Sequence, residues 1–214
     1  IPLFWIARRE LKRPILHYVL VIVYLAYPAL GFINLFDFHP VAFCVPAFLF
    51  AYWALLEERP VLFWSMILLT LSTKEELVVP VAAFGVYCLF KPKWRQKGIG
   101  LVGISMVWAV LCFAVIIPTA NEGKMYKFFD LWSPLLSWVG LGNSGQQGPP
   151  TSGMAPFSMD AAYFVVHLLL PLGFLPLLSP RLFAISLPSF AYLLLSTRTA
   201  LHTVGFQYPA VLIP

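Results

Sequence analysis

The chain has 214 residues, 60% of them hydrophobic and 11% charged, with a formal net charge of +5 and a mean hydropathy of +0.84. Ordinary soluble domains carry roughly 25% charged residues, so this composition excludes a soluble globular fold and points to an integral membrane protein. Apolar stretches of helix-spanning length recur along the chain and period-two barrel patterning is absent, so a polytopic helical bundle is expected, with lipid and not nucleic acid as its surroundings.

In chain order, the basic segment Arg8-Arg9-Glu10-Leu11-Lys12-Arg13 comes first, and an apolar helix is predicted over 14–33. A short loop around Asn34 to Pro40 follows, in which Asp37 and His39 flank Phe38, and Pro40 suits the first position of a helix over 41–56. An Asp-x-His pair serves as a metal or acid–base pair, and equally as polar capping in a loop, so both readings stand for Asp37 and His39.

After the turn Glu57 to Pro60, the run from Val61 to Phe90 is apolar except for Ser72-Thr73-Lys74-Glu75-Glu76. Helices are predicted over 61–73 and 77–90, each reaching about 20 Å against a hydrocarbon core of about 30 Å. Charge inside lipid costs ~2.5–3.5 kcal/mol per residue on insertion scales and is kept where it is paired, interfacial or facing a water-filled cavity. Ser72-x-x-Glu75 and Thr73-x-x-Glu76 both fit a capping box, which accounts for the carboxylates at a helix N-terminus. Lys74 has no role in that account. The alternative is anion binding by Lys74, with Glu75 in an acid–base or pairing role.

The basic loop Lys91 to Lys97 leads to a helix predicted over 99–119. Asn121 to Asp160 is the one sizeable polar loop, expected on the extracytoplasmic side. Its first part, Met125 to Val139, has the apolar spacing of an interfacial helix, and its second is rich in Gly and Pro. Helices over 161–178 and 182–196, and one beginning near 208, complete the chain. Arg198, His202, Gln207 and Tyr208 border that last helix and are candidate ligand contacts, although Tyr at an interface is also ordinary aromatic-belt chemistry.

Cys44, Cys88 and Cys112 lie in apolar segments without metal spacing and are read as packing residues. His17 and His167 lie within apolar helices, where a neutral imidazole with one hydrogen bond is expected. The glycines match no phosphate-loop fingerprint, and neither a catalytic triad nor zinc spacing is present, so no metal site is assigned.

Cytoplasmic loops carry the excess of Lys and Arg. If 61–90 crosses the membrane twice, ten of the fourteen Lys and Arg fall on one side and Lys74, Lys124, Lys127 and Arg198 on the other. A single tilted crossing, with Lys74 set apart as buried, divides the rest eight to five. The first count has the stronger bias. It makes 8–13 and 91–97 cytoplasmic and brings the candidate residues together on the outer face.

Asn34-Leu35-Phe36-Asp37-Phe38-His39-Pro40, Ser72-Thr73-Lys74-Glu75-Glu76, the segment Leu169 to Pro180 (LLPLGFLPLLSP) and His202-x-x-x-x-Gln207-Tyr208-Pro209-Ala210 together resemble the DUF2079 family of bacterial and archaeal predicted membrane proteins. The resemblance covers nearly the whole chain in order. That family is similar to the GT-C superfamily of multi-spanning glycosyltransferases, which take sugar from a polyprenyl-phosphate donor on the extracytoplasmic side. The resemblance implies an all-α, GT-C-like transmembrane bundle with about seven or eight membrane helices here. It implies Thr73-Lys74 at the donor phosphate and an acidic residue in the first outer loop acting as base or as ligand of a divalent metal. That loop would lie upstream of Ile1, in keeping with a chain that opens on Ile1 and is expected to be one transmembrane domain, incomplete at both ends. Within the chain, Asp37, His39 and Glu75 are the remaining candidates for acid–base work. Two other functions fit the same residues: a transporter or lipid-handling protein with a discontinuous helix at 61–90, and a non-catalytic membrane assembly protein in which the charges only cap a helix.

Overall fold

The computed structural model describes residues 1–35, 39–120, 159–195 and 212. Among these, every regular element is helical and no strand occurs, as expected of an all-α chain. In chain order the helices are α1 (Pro2–Glu10), α2 (Pro14–Leu25), α3 (Pro28–Leu35), α4 (Cys44–Leu56), α5 (Pro60–Thr73), α6 (Val78–Leu89), α7 (Arg95–Val110), α8 (Ile117–Ala120), α9 (Met159–Leu169) and α10 (Pro180–Leu195). Proline opens five of them, where its missing N–H costs nothing because first-turn amides have no intrahelical acceptor. Pro40 likewise opens the 3-10 turn Pro40–Phe43 that leads into α4.

Several predicted boundaries move, each for a local reason. The basic segment around 8–13 is not all loop, since Arg8, Arg9 and Glu10 close α1. The helix predicted over 14–33 breaks after Leu25, because Pro28 cannot donate to the carbonyl four residues back and disfavours helical geometry just before it. The helix predicted over 161–178 stops at Leu169. There the Phe174 N–H donates to the Leu169 carbonyl (3.1 Å) and the Gly173 N–H to the Leu170 carbonyl (2.9 Å), with Gly173 at φ +58°. That crossed pair of bonds is a Schellman stop, and its left-handed position is the one glycine fills without strain. The Tyr27 hydroxyl donates to the Leu168 carbonyl at 2.8 Å, satisfying one of the acceptors that this helix end leaves over.

The helix predicted over 99–119 is longer than expected. With its leading 3-10 turn it runs from Pro92 to Ala120, 29 residues or about 44 Å at 1.5 Å per residue. Among the described residues it is the one helix long and apolar enough to cross a bilayer by itself; the other apolar helices are shorter. Pro118 is accommodated because the helix widens to a π-turn over Leu111–Ile116, and the Thr119 hydroxyl donates to the carbonyls of Val115 and Ile116 at 2.7 and 2.8 Å. Met106, Val107 and Val110 on α7 are all exposed, as suits a lipid-facing surface.

Helices α4 to α7 form four antiparallel legs. The turn Glu57 to Arg59 reverses the chain between α4 and α5, and at the next reversal Lys74 is extended (φ −162°, ψ 143°). The 3-10 turn Glu75–Leu77 then starts α6 in the opposite direction. Thus 61–90 is folded as two legs and not as one interrupted helix. Lys97 over the Phe63 ring and Gly100 against Trp64 place α5 parallel to α7, whereas Gly85 against Leu101 and Gly98 against Leu89 place α6 antiparallel to it. Phe48, Phe63, Ile67, Leu71, Phe84 and Leu101 are the buried centre of this bundle. A second core, with Tyr27, Ile33, Cys44, Leu77, Phe164 and Leu193, joins α2, α3, α9 and α10 to it.

The reversals segregate charge. At one end Arg9 pairs with Glu57 (2.6 Å), Lys93 pairs with Glu58 (2.5 Å), and Arg59 lies over the Trp53 ring. Glu58 adopts φ +55° at the position that glycine fills in the other Schellman stop, with the Arg59 N–H donating to the Ala54 carbonyl. The hydrogen bond and charge of Lys93 hold the Glu58 carboxyl below the usual carboxylate range, so this pair contributes stability at neutral pH that is lost as pH falls through the lowered value. Arg181, at the start of α10, lines a groove with Tyr87 and Lys91 at the same end. Lys74 lies at the opposite end.

A Cβ at Gly98 would meet the Gly85 carbonyl oxygen and the Leu89 nitrogen at 2.8 Å, and both are backbone atoms that cannot swing aside. At Gly103 nothing lies within 4 Å. We therefore expect Gly98→Ala to destabilise by about 1–3 kcal/mol through overpacking, and Gly103→Ala on the same helix to leave stability unchanged or raised. Thermal unfolding in detergent measures both, and equal melting temperatures for the two variants would contradict the packing.

Candidate functional site

The tip between α5 and α6 holds the sequence-predicted cluster. Ser72 and Thr73 stay in the last turn of α5, and their hydroxyls donate back to the carbonyls of Leu69 and Thr70, both at 2.8 Å. The expected capping boxes are therefore not formed, and no side-chain cap opens the turn Glu75–Leu77. A hydroxyl committed to the preceding helix cannot also reach amides that lie beyond an extended Lys74.

Lys74 pairs with Glu76 at 2.5 Å, with side-chain exposures of 21% and 8%. Glu75 is expected from the sequence in an acid–base or pairing role; Glu76 reaches Lys74 because the adjoining Leu77 enters the core and draws it inward. Leu77 shares a core with Cys44 and Val45, so the tip packs against the start of α4. A carboxylate this buried is retained when paired, and removing one member of such a pair strands the other.

His39 immediately precedes the turn that opens α4, so it lies at the same end of that helix as Cys44. It lines a mostly apolar cavity of about 440 Å³ with Tyr24, Leu25, Ile33, Phe43 and Leu49. Asp37, Arg198, His202, Gln207 and Tyr208, together with the interfacial helix predicted over 125–139, lie outside the described residues. Leu193, near the end of α10, shares a core with Leu77 and Cys44, which brings that helix end to the tip. Among the described residues no group of three or more His, Cys, Asp or Glu side chains gathers to hold a metal ion.

The residues expected to be structural behave so. Cys44, Cys88 and Cys112 are buried and in no disulfide among the described residues. His17 is buried and hydrogen-bonds the Leu11 carbonyl at 2.8 Å, which ties the bend between α1 and α2. His167 bonds the Tyr163 carbonyl one turn back. Glu76, expected from the sequence only as a capping residue, is the carboxylate paired with Lys74, and it adjoins Leu77, which enters the core.

The sequence model of a family described as predicted membrane protein (DUF2079) matches residues 1–214. No curated protein and no solved structure matches the chain.

With Lys74 held by Glu76, Glu76→Gln is expected to destabilise by more than about 1 kcal/mol, because it removes a close counter-charge from a partly buried ammonium. Lys74→Met in the Glu76→Gln background is expected to recover part of the loss. Unfolding of the wild type, Glu76→Gln, Lys74→Met and the double variant in detergent closes the cycle; a coupling near zero would remove the pair from the structure of the tip.

Proposed function

The chain belongs to the DUF2079 family of predicted membrane proteins, and we propose that it is part of a GT-C-like glycosyltransferase, a polytopic bundle that transfers sugar from a polyprenyl-phosphate donor. The observation that carries this reading is one cation, Lys74, held on a buried carboxylate at a recessed helix reversal, at the end of the bundle opposite the paired basic segments. By the excess of Lys and Arg, the basic end is cytoplasmic and the Lys74 tip extracytoplasmic. The shorter apolar helices are then membrane helices too, crossing beside the 29-residue run.

In this reading the acceptor oxygen attacks the anomeric carbon and the bond from that carbon to the phosphate oxygen breaks. The acceptor proton passes to a base and negative charge collects on the departing phosphate. Lys74, with Thr73 beside it, meets that phosphate, and fixed charge aimed at a developing anion is the largest help a protein site supplies. Glu75 and Glu76 outweigh Lys74, so the phosphate needs a second cation. Arg198 is the candidate, three residues beyond Leu195, the last residue of α10, with His202, Gln207 and Tyr208 following it. Glu76 orients Lys74. Asp37, His39 and Glu75 remain the candidates for the base within this chain, unless the carboxylate implied upstream of Ile1 supplies it. The apolar cavity bordered by His39 is suited to part of an isoprenoid tail.

In the full-length protein, Lys74→Ala is expected to lower transfer from a polyprenyl-phosphate sugar by about 10²–10³-fold while membrane insertion is kept; unchanged turnover would sink the assignment. Lys93→Cys is expected to react with a membrane-impermeant maleimide only from the cytoplasmic side. Labelling of position 93 from outside intact cells would reverse the orientation.

A further inference from the structure

Between α6 and α10, at the basic end, lies a groove of about 420 Å³ walled by Ala83, Val86, Phe90, Ala184 and Ile185. Lys91 and Arg181 line it together, at its terminal edge, because α6 ends at Leu89 and α10 begins at Pro180. Two other cations of this end are matched, Arg9 by Glu57 and Lys93 by Glu58. Lys91 and Arg181 make no ion pair among the described residues; Lys91 instead stands 5.7 Å from the centroid of the Tyr87 ring, which holds its ammonium at the groove. The first turn of α10 carries no acidic residue, so the positive end of the helix adds to the same sign.

An apolar groove between membrane helices that ends in two cations matches one chemistry at both ends: a hydrocarbon chain along the walls and a phosphate at the edge. We propose that this groove binds an anionic glycerophospholipid, with the headgroup phosphate between Lys91 and Arg181 and an acyl chain along Ala83, Val86 and Ala184. The guanidinium of Arg181 offers two parallel N–H donors to phosphate oxygens, and Lys91 adds a point charge. A soluble phosphorylated ligand would leave the apolar walls unused, and a zwitterionic lipid would bring its own cation towards two others. The site lies at the opposite end of the bundle from Lys74 and is independent of any glycosyl transfer there.

The test uses the full-length protein, delipidated in a neutral detergent and titrated with phosphatidylglycerol, phosphatidylcholine or inorganic phosphate while thermal unfolding is followed. Phosphatidylglycerol is expected to raise Tm saturably, and the other two to leave it in place. The double variant Lys91→Ala/Arg181→Ala is expected to weaken the phosphatidylglycerol response by about 30-fold, the loss for two cations at a membrane surface. Ala184→Trp, which fills the groove and keeps both cations, is expected to abolish that response, whereas Arg95→Ala leaves it unchanged. An equal response to phosphatidylcholine, an equal response to inorganic phosphate, or a full response in the double variant would each overturn the proposal. Should the double variant fail to fold, Ala184→Trp decides, and a full response there overturns it as well.

Discussion

The close approach of α6 and α7 at Gly85 and Gly98 is the contact on which the arrangement turns. In lipid no hydrophobic force drives one apolar helix against another, so association relies on backbones coming near enough for dense van der Waals contact, and small residues permit it. Gly98 faces the Gly85 carbonyl and the last turn of α6, so the two helices meet backbone to backbone. Once α6 and α7 lie antiparallel, the ends of every neighbouring leg are determined. The basic loop before α7 must come beside the turn before α5, which is where Lys93 meets Glu58.

From that packing follows the separation of polar chemistry into two ends. The end with Arg9, Glu57, Glu58, Lys93 and Arg181 is exposed, and its pairs stand in solvent or headgroups, where each contributes little individually. The Lys74–Glu76 pair at the other end is largely buried, and there the cost of losing one partner is high. The same charge pairing therefore does different work at the two ends: adhesion between legs at the first, and a held cation at the second. The proline and glycine breaks in α2–α3 and after α9 serve the second end, since Tyr27 in one break bonds the carbonyl of Leu168 at the other.

Much of the helix pattern was legible because apolar runs bounded by proline have few alternatives in this composition. The predicted spans 61–73, 77–90 and 182–196 agree with the structure to within two residues at each end, as does 41–56 once the 3-10 turn Pro40–Phe43 is counted with α4. Errors fell where a single residue changes backbone chemistry inside an apolar run. Pro28 cut the span over 14–33, Gly173 ended the one over 161–178, and Pro92 started the helix predicted over 99–119 several residues early, within the basic loop. At the tip, hydropathy identified the charged cluster but not its pairing. Ser72 and Thr73 had two sets of backbone groups within reach, and the carbonyls of α5 won because that helix continues through them.

By itself the sequence determined an all-helical membrane chain and marked Lys74, because both follow from residue chemistry: too little charge for water, and a cation where lipid penalises one. It could not say which carboxylate meets that cation, nor that Lys91 and Arg181 flank one groove. That Glu76 meets Lys74 depends on which side of the turn the core of Leu77 occupies. Lys91 and Arg181 are ninety positions apart in the chain, and they meet only because α10 packs antiparallel to α6. Helix direction and burial are properties of the packed bundle, and local pattern carries no record of them.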